Sequence, residues 1–141
     1  MAAITQIVLN DGASTPVEHT FVPMTPQTGA IASTLTPALW YSKDADSVAG
    51  YQRLNASVGR NGNGMYKALV DLAIPRLASP SASCCTDTNV PSVTDEHLVN
   101  VRFTLPPTGT PQLRKNLRIE LINYLQTAQA IAMIDDLEPA W

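Results

Sequence analysis

Few side chains in this 141-residue sequence could do covalent chemistry. Two cysteines are adjacent, Cys84 and Cys85, and two histidines, His19 and His97, lie far apart. A cysteine nucleophile needs a histidine base and a third group to orient it. Cys84 or Cys85 with His97 provides the first two and no indicated third. A zinc site needs about four ligands at workable spacing, which two cysteines and two distant histidines do not offer. Gly59 and Gly64 have the spacing of a phosphate loop, but Met65 and Tyr66 follow in place of Lys and Ser/Thr. Asn55-Ala56-Ser57 spells a glycosylation acceptor inside a strand-like run. The expectation is no enzyme: no catalytic residue, no metal ligand and no cofactor. Adjacent Cα atoms are about 3.8 Å apart, whereas disulfides prefer roughly 4.4–6.8 Å, so bonding Cys84 to Cys85 would be strained. The pair reads either as two free thiols or as two thiols reaching two neighbouring chains.

What remains is a set of cations and small polar groups, Arg53, Asn55, Ser57, Lys67, Asn100 and Arg102. Lys and Arg neutralise phosphates, and Asn and Ser bond to bases or sugars, so one surface holding all six suits RNA or DNA. The plainer alternative is six solvated sheet positions.

Strands must position these residues. Tyr51–Val58 alternates, with Arg53, Asn55 and Ser57 on one side and Leu54, Ala56 and Val58 on the other. GRNGNG (59–64) carries two Asn-Gly turn signals. Met65–Ile74 follows, with Lys67 and Asp71 opposite an apolar face, and Pro75 is expected to end it. His97–Leu105 alternates likewise, placing Asn100 and Arg102 opposite Val99, Val101 and Phe103. Upstream, Ile4–Leu9 and Val17–Val22 around Asp11-Gly12 predict an N-terminal hairpin ended by Pro23, and Ile31–Leu35 and Leu39–Ser42 predict short strands. Arg76–Pro91 reads as a long loop. Thr110-Pro111 is a helix start, a hydroxyl cap followed by Pro at the first helical position. Leu113, Leu117, Leu121 and Leu125 recur at helical spacing, Thr127 marks a break, and a second helix runs to Pro139. Strands first and helices afterwards predict an α+β class, an antiparallel sheet with helices on one face.

Composition limits the partners. Charged residues are only 15% of the chain against 45% hydrophobic, well under the roughly 25% charged of soluble domains. Such a surface is expected to be covered largely by copies of itself. The net charge of −3 conceals a pattern: −3 over residues 1–52, +4 over 53–118 and −4 over 119–141. A basic middle between acidic ends can give a two-sided molecule, or simply a scattered set of solvated charges. No apolar run approaches the ~18 residues of a membrane helix. The start of the chain lacks the basic and apolar regions of a secretory signal, so no membrane partner is expected.

The final stretch, NLRIELINYLQTAQAIAMIDDLEPAW (Asn116–Trp141), resembles the C-terminal helices of single-stranded RNA bacteriophage coat proteins of the Qβ type. PSVT (Pro91–Thr94), the following strand and the two-cysteine loop are similar too, Arg53–Pro75 more weakly, and residues 1–50 only in pattern. The resemblance implies one coat-protein domain over 1–141, with a hairpin at 1–23, a sheet over 31–105 interrupted by a loop at 76–91, and two helices over 110–138. It implies an N-terminal β-hairpin, a five-stranded antiparallel sheet and two C-terminal helices, interlocked as a homodimer with one continuous sheet. Dimers would close into a T=3 icosahedral shell around single-stranded genomic RNA. The same sheet face would bind an RNA hairpin that represses replicase translation and directs packaging. A maturation protein is a further implied partner. The location would be the virion, assembled in the bacterial host cytoplasm. Cys84 and Cys85 would link neighbouring subunits, forming bonds after release from a reducing cytosol. Arg53, Asn55, Ser57, Lys67 and Asn100 match positions that touch RNA in the family, Arg102 is the cation beside them, and Leu98 replaces the family's stacking Tyr. Two other readings compete with a capsid protein: a dimeric RNA-binding regulator that forms no shell, and a small α+β enzyme, for which the sequence has no catalytic set.

Overall fold

The structure, a computed structural model, describes residues 3–31, 33–78 and 91–139. Six strands, β1 (Ile7–Asn10), β2 (Glu18–Thr25), β3 (Ala38–Ser42), β4 (Gln52–Arg60), β5 (Tyr66–Leu77) and β6 (Val93–Leu105), form one sheet in chain order. β1 pairs β2 from Ile7↔Phe21 to Asn10↔Glu18, and β2 continues into β3 through Phe21↔Ser42. The hairpin is therefore the first two strands of a six-stranded sheet, where the resemblance implied it beside a five-stranded one. The chain divides into two compact units, Met1–Thr104 and Leu105–Trp141.

Several boundaries differ from the sequence reading, each for a local reason. Asp11-Gly12 is not a two-residue turn. The Asp11 carboxylate instead accepts from the Val17 and Ala13 amides at 2.9 and 3.2 Å, organising a longer loop. Pro23 does not stop β2. The register slips between Pro23 and Thr25, a bulge that tolerates the missing N–H. Among the described residues of Ile31–Leu35 there is no strand. Ile31 makes only an isolated parallel bridge to Arg60, and Thr28 bridges Thr36, in a segment bent at Gly29 (φ +76°). Pro75 lies inside β5, beyond Ala73, the last β5 residue that β4 pairs. β6 begins at Val93, ahead of the expected His97, and its early polar residues are held across the sheet. Arg76 meets Asp95 through two bonds of 3.0 and 2.6 Å. The expected loop at 76–91 is thus shortened: Arg76 and Leu77 belong to β5, and Cys84 and Cys85 lie outside the described residues.

The turn at GRNGNG forms as expected. The Gly64 amide donates to the Asn61 carbonyl at 2.9 Å, and Gly64 takes φ +78°, a region a side chain resists. In the sheet unit the core is the cluster Phe21, Ala38, Trp40 and Leu54, with Ile4, Ile7, Ala56 and Leu72 packed against it. Trp40 donates from Nε1 to the Thr5 carbonyl at 2.8 Å, fastening the N-terminal segment over this face. At the other end of β2, His19 Nδ1 lies 2.7 Å from Asp44, and the Ser42 hydroxyl donates to the same carboxylate.

The second unit holds α1 (Pro111–Leu125) and α2 (Ala128–Asp135). Thr110 and Thr127 cap them, each hydroxyl accepting from the amide three residues on at 3.3 Å. α1 has no buried residue, and α2 has only Ala130.

Candidate nucleic-acid interface

Pairing fixes which side chains share the polar face. Leu54 opposes Trp40 and Leu72, so these belong to the core side. One residue along, Arg53 opposes Tyr41 and Ala73, Asn55 opposes Leu39 and Asp71, Ser57 opposes Leu69, and Gly59 opposes Lys67. Asn100 donates from Nδ2 to Asp71 Oδ1 at 2.8 Å, which brings β6 onto the same face. Strand alternation then puts Glu96, Leu98 and Arg102 beside it. All six residues singled out from the sequence therefore lie on one side of β4, β5 and β6.

Their surroundings are not alike. Arg53, Asn100 and Arg102 are exposed, Asn55 and Lys67 are half-buried, and Ser57 is only 7% exposed. The Gln27 side chain brackets the main chain next to Ser57, donating to the Val58 carbonyl at 2.7 Å and accepting from its amide at 2.8 Å. The Ser57 hydroxyl is thus not an open surface group in this chain.

Two carboxylates that the sequence reading did not place in the site face it directly. Glu96 pairs with Arg53, and Asp71 holds Asn100. Among the described residues, Lys67 and Arg102 have no carboxylate partner. Tyr41, directly opposite Arg53, adds an aromatic ring to the face, 6.5 Å from that of Tyr51. Alternation in the sequence located Asp71 opposite the apolar side of β5. Its partner could not be read, because that depends on the register of β6. Glu96 fell before the expected start of that strand. Among the described residues no cluster of three or more His, Cys, Asp or Glu could hold a metal ion. The face can bind, through three cations, amides and an aromatic ring, tempered by two carboxylates.

The family model for levivirus coat protein matches residues 2–141. The chain belongs to the levivirus coat protein family. Its role is therefore that of a capsid-forming structural protein, not an enzyme. Among solved structures, the virus-like particle of bacteriophage NT-214 is similar over 99% of this chain and 100% of that one, at 38% identity and TM-score 0.88. The virus-like particle of bacteriophage ESE058 is similar over the same shares, at 30% identity and TM-score 0.86. The bacteriophage GA protein capsid, at 19% identity and TM-score 0.74 over 98% of both chains, shares the fold. No curated protein sequence matches. The antiparallel sheet followed by two helices is the coat-protein fold, with the hairpin counted here as part of the sheet. In this coat protein the polar face is formed by the last three strands together with Tyr41 of β3.

Proposed function

We propose that this coat protein pairs into an interlocked homodimer and that dimers close into a T=3 icosahedral shell around single-stranded genomic RNA. The observation that carries this reading is the family match along residues 2–141, with 38% identity to a protein solved as a virus-like particle. Physical features support it. α1 leaves Leu113 61%, Leu117 44% and Leu125 44% exposed, and on α2 Ile134 is 53% exposed. Apolar faces of this extent mark an interaction surface. β6, 13 residues long, is an edge of the sheet in the single chain, and pairing two such edges would remove an aggregation-prone border. A continuous sheet across two chains follows.

In the shell the polar face lines the interior, and Arg53, Lys67 and Arg102 neutralise phosphates by releasing counterions. Asn55 and Asn100 meet bases or sugars, while Ser57, 7% exposed in the single chain, is withdrawn from direct contact. The same face takes an RNA hairpin, repressing replicase translation and directing packaging. A maturation protein joins the virion, and assembly takes place in the host cytoplasm. Cys84 and Cys85 join neighbouring subunits covalently once the particle leaves that reducing compartment.

Expression in bacteria, followed by size exclusion and electron microscopy, tests the shell. Closed particles with the ultraviolet absorbance of nucleic acid are expected. A stable dimer with no larger species would overturn the shell and favour a free RNA-binding regulator. On non-reducing gels, ladders of linked subunits are expected, and they should vanish when Cys84 and Cys85 are both replaced by Ser.

A further inference from the structure

We propose that Asp71 and Glu96 make this face selective for RNA bases that present amino groups, and that they disfavour binding by phosphate alone. The inference rests on the RNA-binding reading of the sheet above and adds to it the class of base recognised.

The argument starts from charge. The face holds three cations, Arg53, Lys67 and Arg102, and two carboxylates among them. Glu96 occupies the Arg53 guanidinium, and Asp71 occupies one N–H of Asn100. A phosphate approaching Arg53 must displace Glu96 and then lie beside the released anion. An approach to Asn100 meets Asp71, which also stands directly opposite Asn55. Binding driven only by the backbone therefore gains little near the centre of the face, and Lys67 and Arg102, which have no carboxylate partner among the described residues, carry most of it.

A base changes the balance. A carboxylate only accepts hydrogen bonds, and it has capacity left after one donor. The exocyclic amino group of cytosine is a donor that Asp and Glu accept. Its ring N3 and carbonyl in turn accept from Arg53 or Asn100. Uracil offers a carbonyl where cytosine has its amino group, so it would set two acceptors against each other beside Asp71 and Glu96. Unpaired RNA bases are open to such reading on their edges. The half-buried setting of Asp71 strengthens the discrimination, because an acceptor left facing it without a proton loses more than a solvated one would.

Filter retention of labelled oligocytidylate and oligouridylate of equal length by the full-length protein tests this, at salt from about 50 to 200 mM. The expected preference for oligocytidylate is about tenfold, within the usual discrimination of a good base contact. Asp71→Asn and Glu96→Gln should each shrink that preference severalfold. Each should also raise oligouridylate affinity and steepen the salt dependence by roughly one phosphate contact. Equal retention of the two oligonucleotides by the parent protein, or a preference unchanged in both variants, overturns the proposal while leaving the RNA face standing. If neither oligonucleotide is retained by the parent or the variants, the RNA face itself falls and the proposal with it. Where the oligonucleotides are retained, Lys67→Ala should lower retention of both alike, which marks the retention as binding at this face.

Discussion

Asp44 ties β2 to the end of β3 through His19 and the Ser42 hydroxyl. Its carboxyl is held below the ordinary carboxylate value, chiefly by the Ser42 hydrogen bond and then by His19. The Asp11 carboxyl is lowered mainly by the Val17 and Ala13 amides. A carboxyl lowered in the folded state stabilises fully above its unfolded pKa, and that contribution is lost as pH falls through the folded value. The loss therefore falls in acid, below the ordinary carboxylate range near 3.8. Asp44→Asn should flatten the fall of the urea midpoint in that acid range, while leaving the shape of the dependence above neutrality unchanged. Trp40→Phe removes one donor to the Thr5 carbonyl and should cost about 1–2 kcal/mol in the same urea measurement. At this scale the site was half legible. Alternation alone put Arg53, Asn55, Ser57, Lys67, Asn100 and Arg102 on one side. What it could not give was the carboxylates held by Arg53 and Asn100, or the burial of Ser57, since both depend on which residues other strands and loops bring across.

Turns and caps were the most readable elements because their chemistry is local. Gly64→Ala forces a side chain into a left-handed backbone and should cost about 1 kcal/mol, read as a lower unfolding midpoint. Asn61 and Gly64 close the β4–β5 turn as the Asn-Gly signal predicts. Thr110→Ala removes the hydroxyl that accepts the Leu113 amide and should cost about 1 kcal/mol. Thr110→Ser should restore it, with helicity by circular dichroism as the check. Strand ends were less readable. Pro23 and Pro75 look like terminators in sequence, yet the first sits at a bulge and the second beyond the reach of β4. Residues 94–96 look like loop because they are polar, and they join β6 where Arg76 and Arg53 hold Asp95 and Glu96. A strand stabilised by cross-strand ion pairs carries no hydrophobic alternation to announce it.

For the whole molecule, the exposed apolar residues of α1 and α2 are where assembly should be most vulnerable. Leu117→Glu or Ile134→Glu should abolish particles on size exclusion, because a carboxylate would be buried against a partner chain. Helix content by circular dichroism should persist, since neither side chain is buried in the single chain. A low charge count and a polar sheet face together pointed to self-covering and to an anionic cargo. Stoichiometry is not a property that hydrophobic spacing encodes. The strand order has a kinetic consequence of its own. Every strand after β1 hydrogen-bonds to the strand immediately before it in the chain. Pairing between successive segments keeps loop closure short, a condition that favours rapid folding. A ribosome would thus deliver each new strand to an edge already waiting, and the sheet would be laid down in the order of translation.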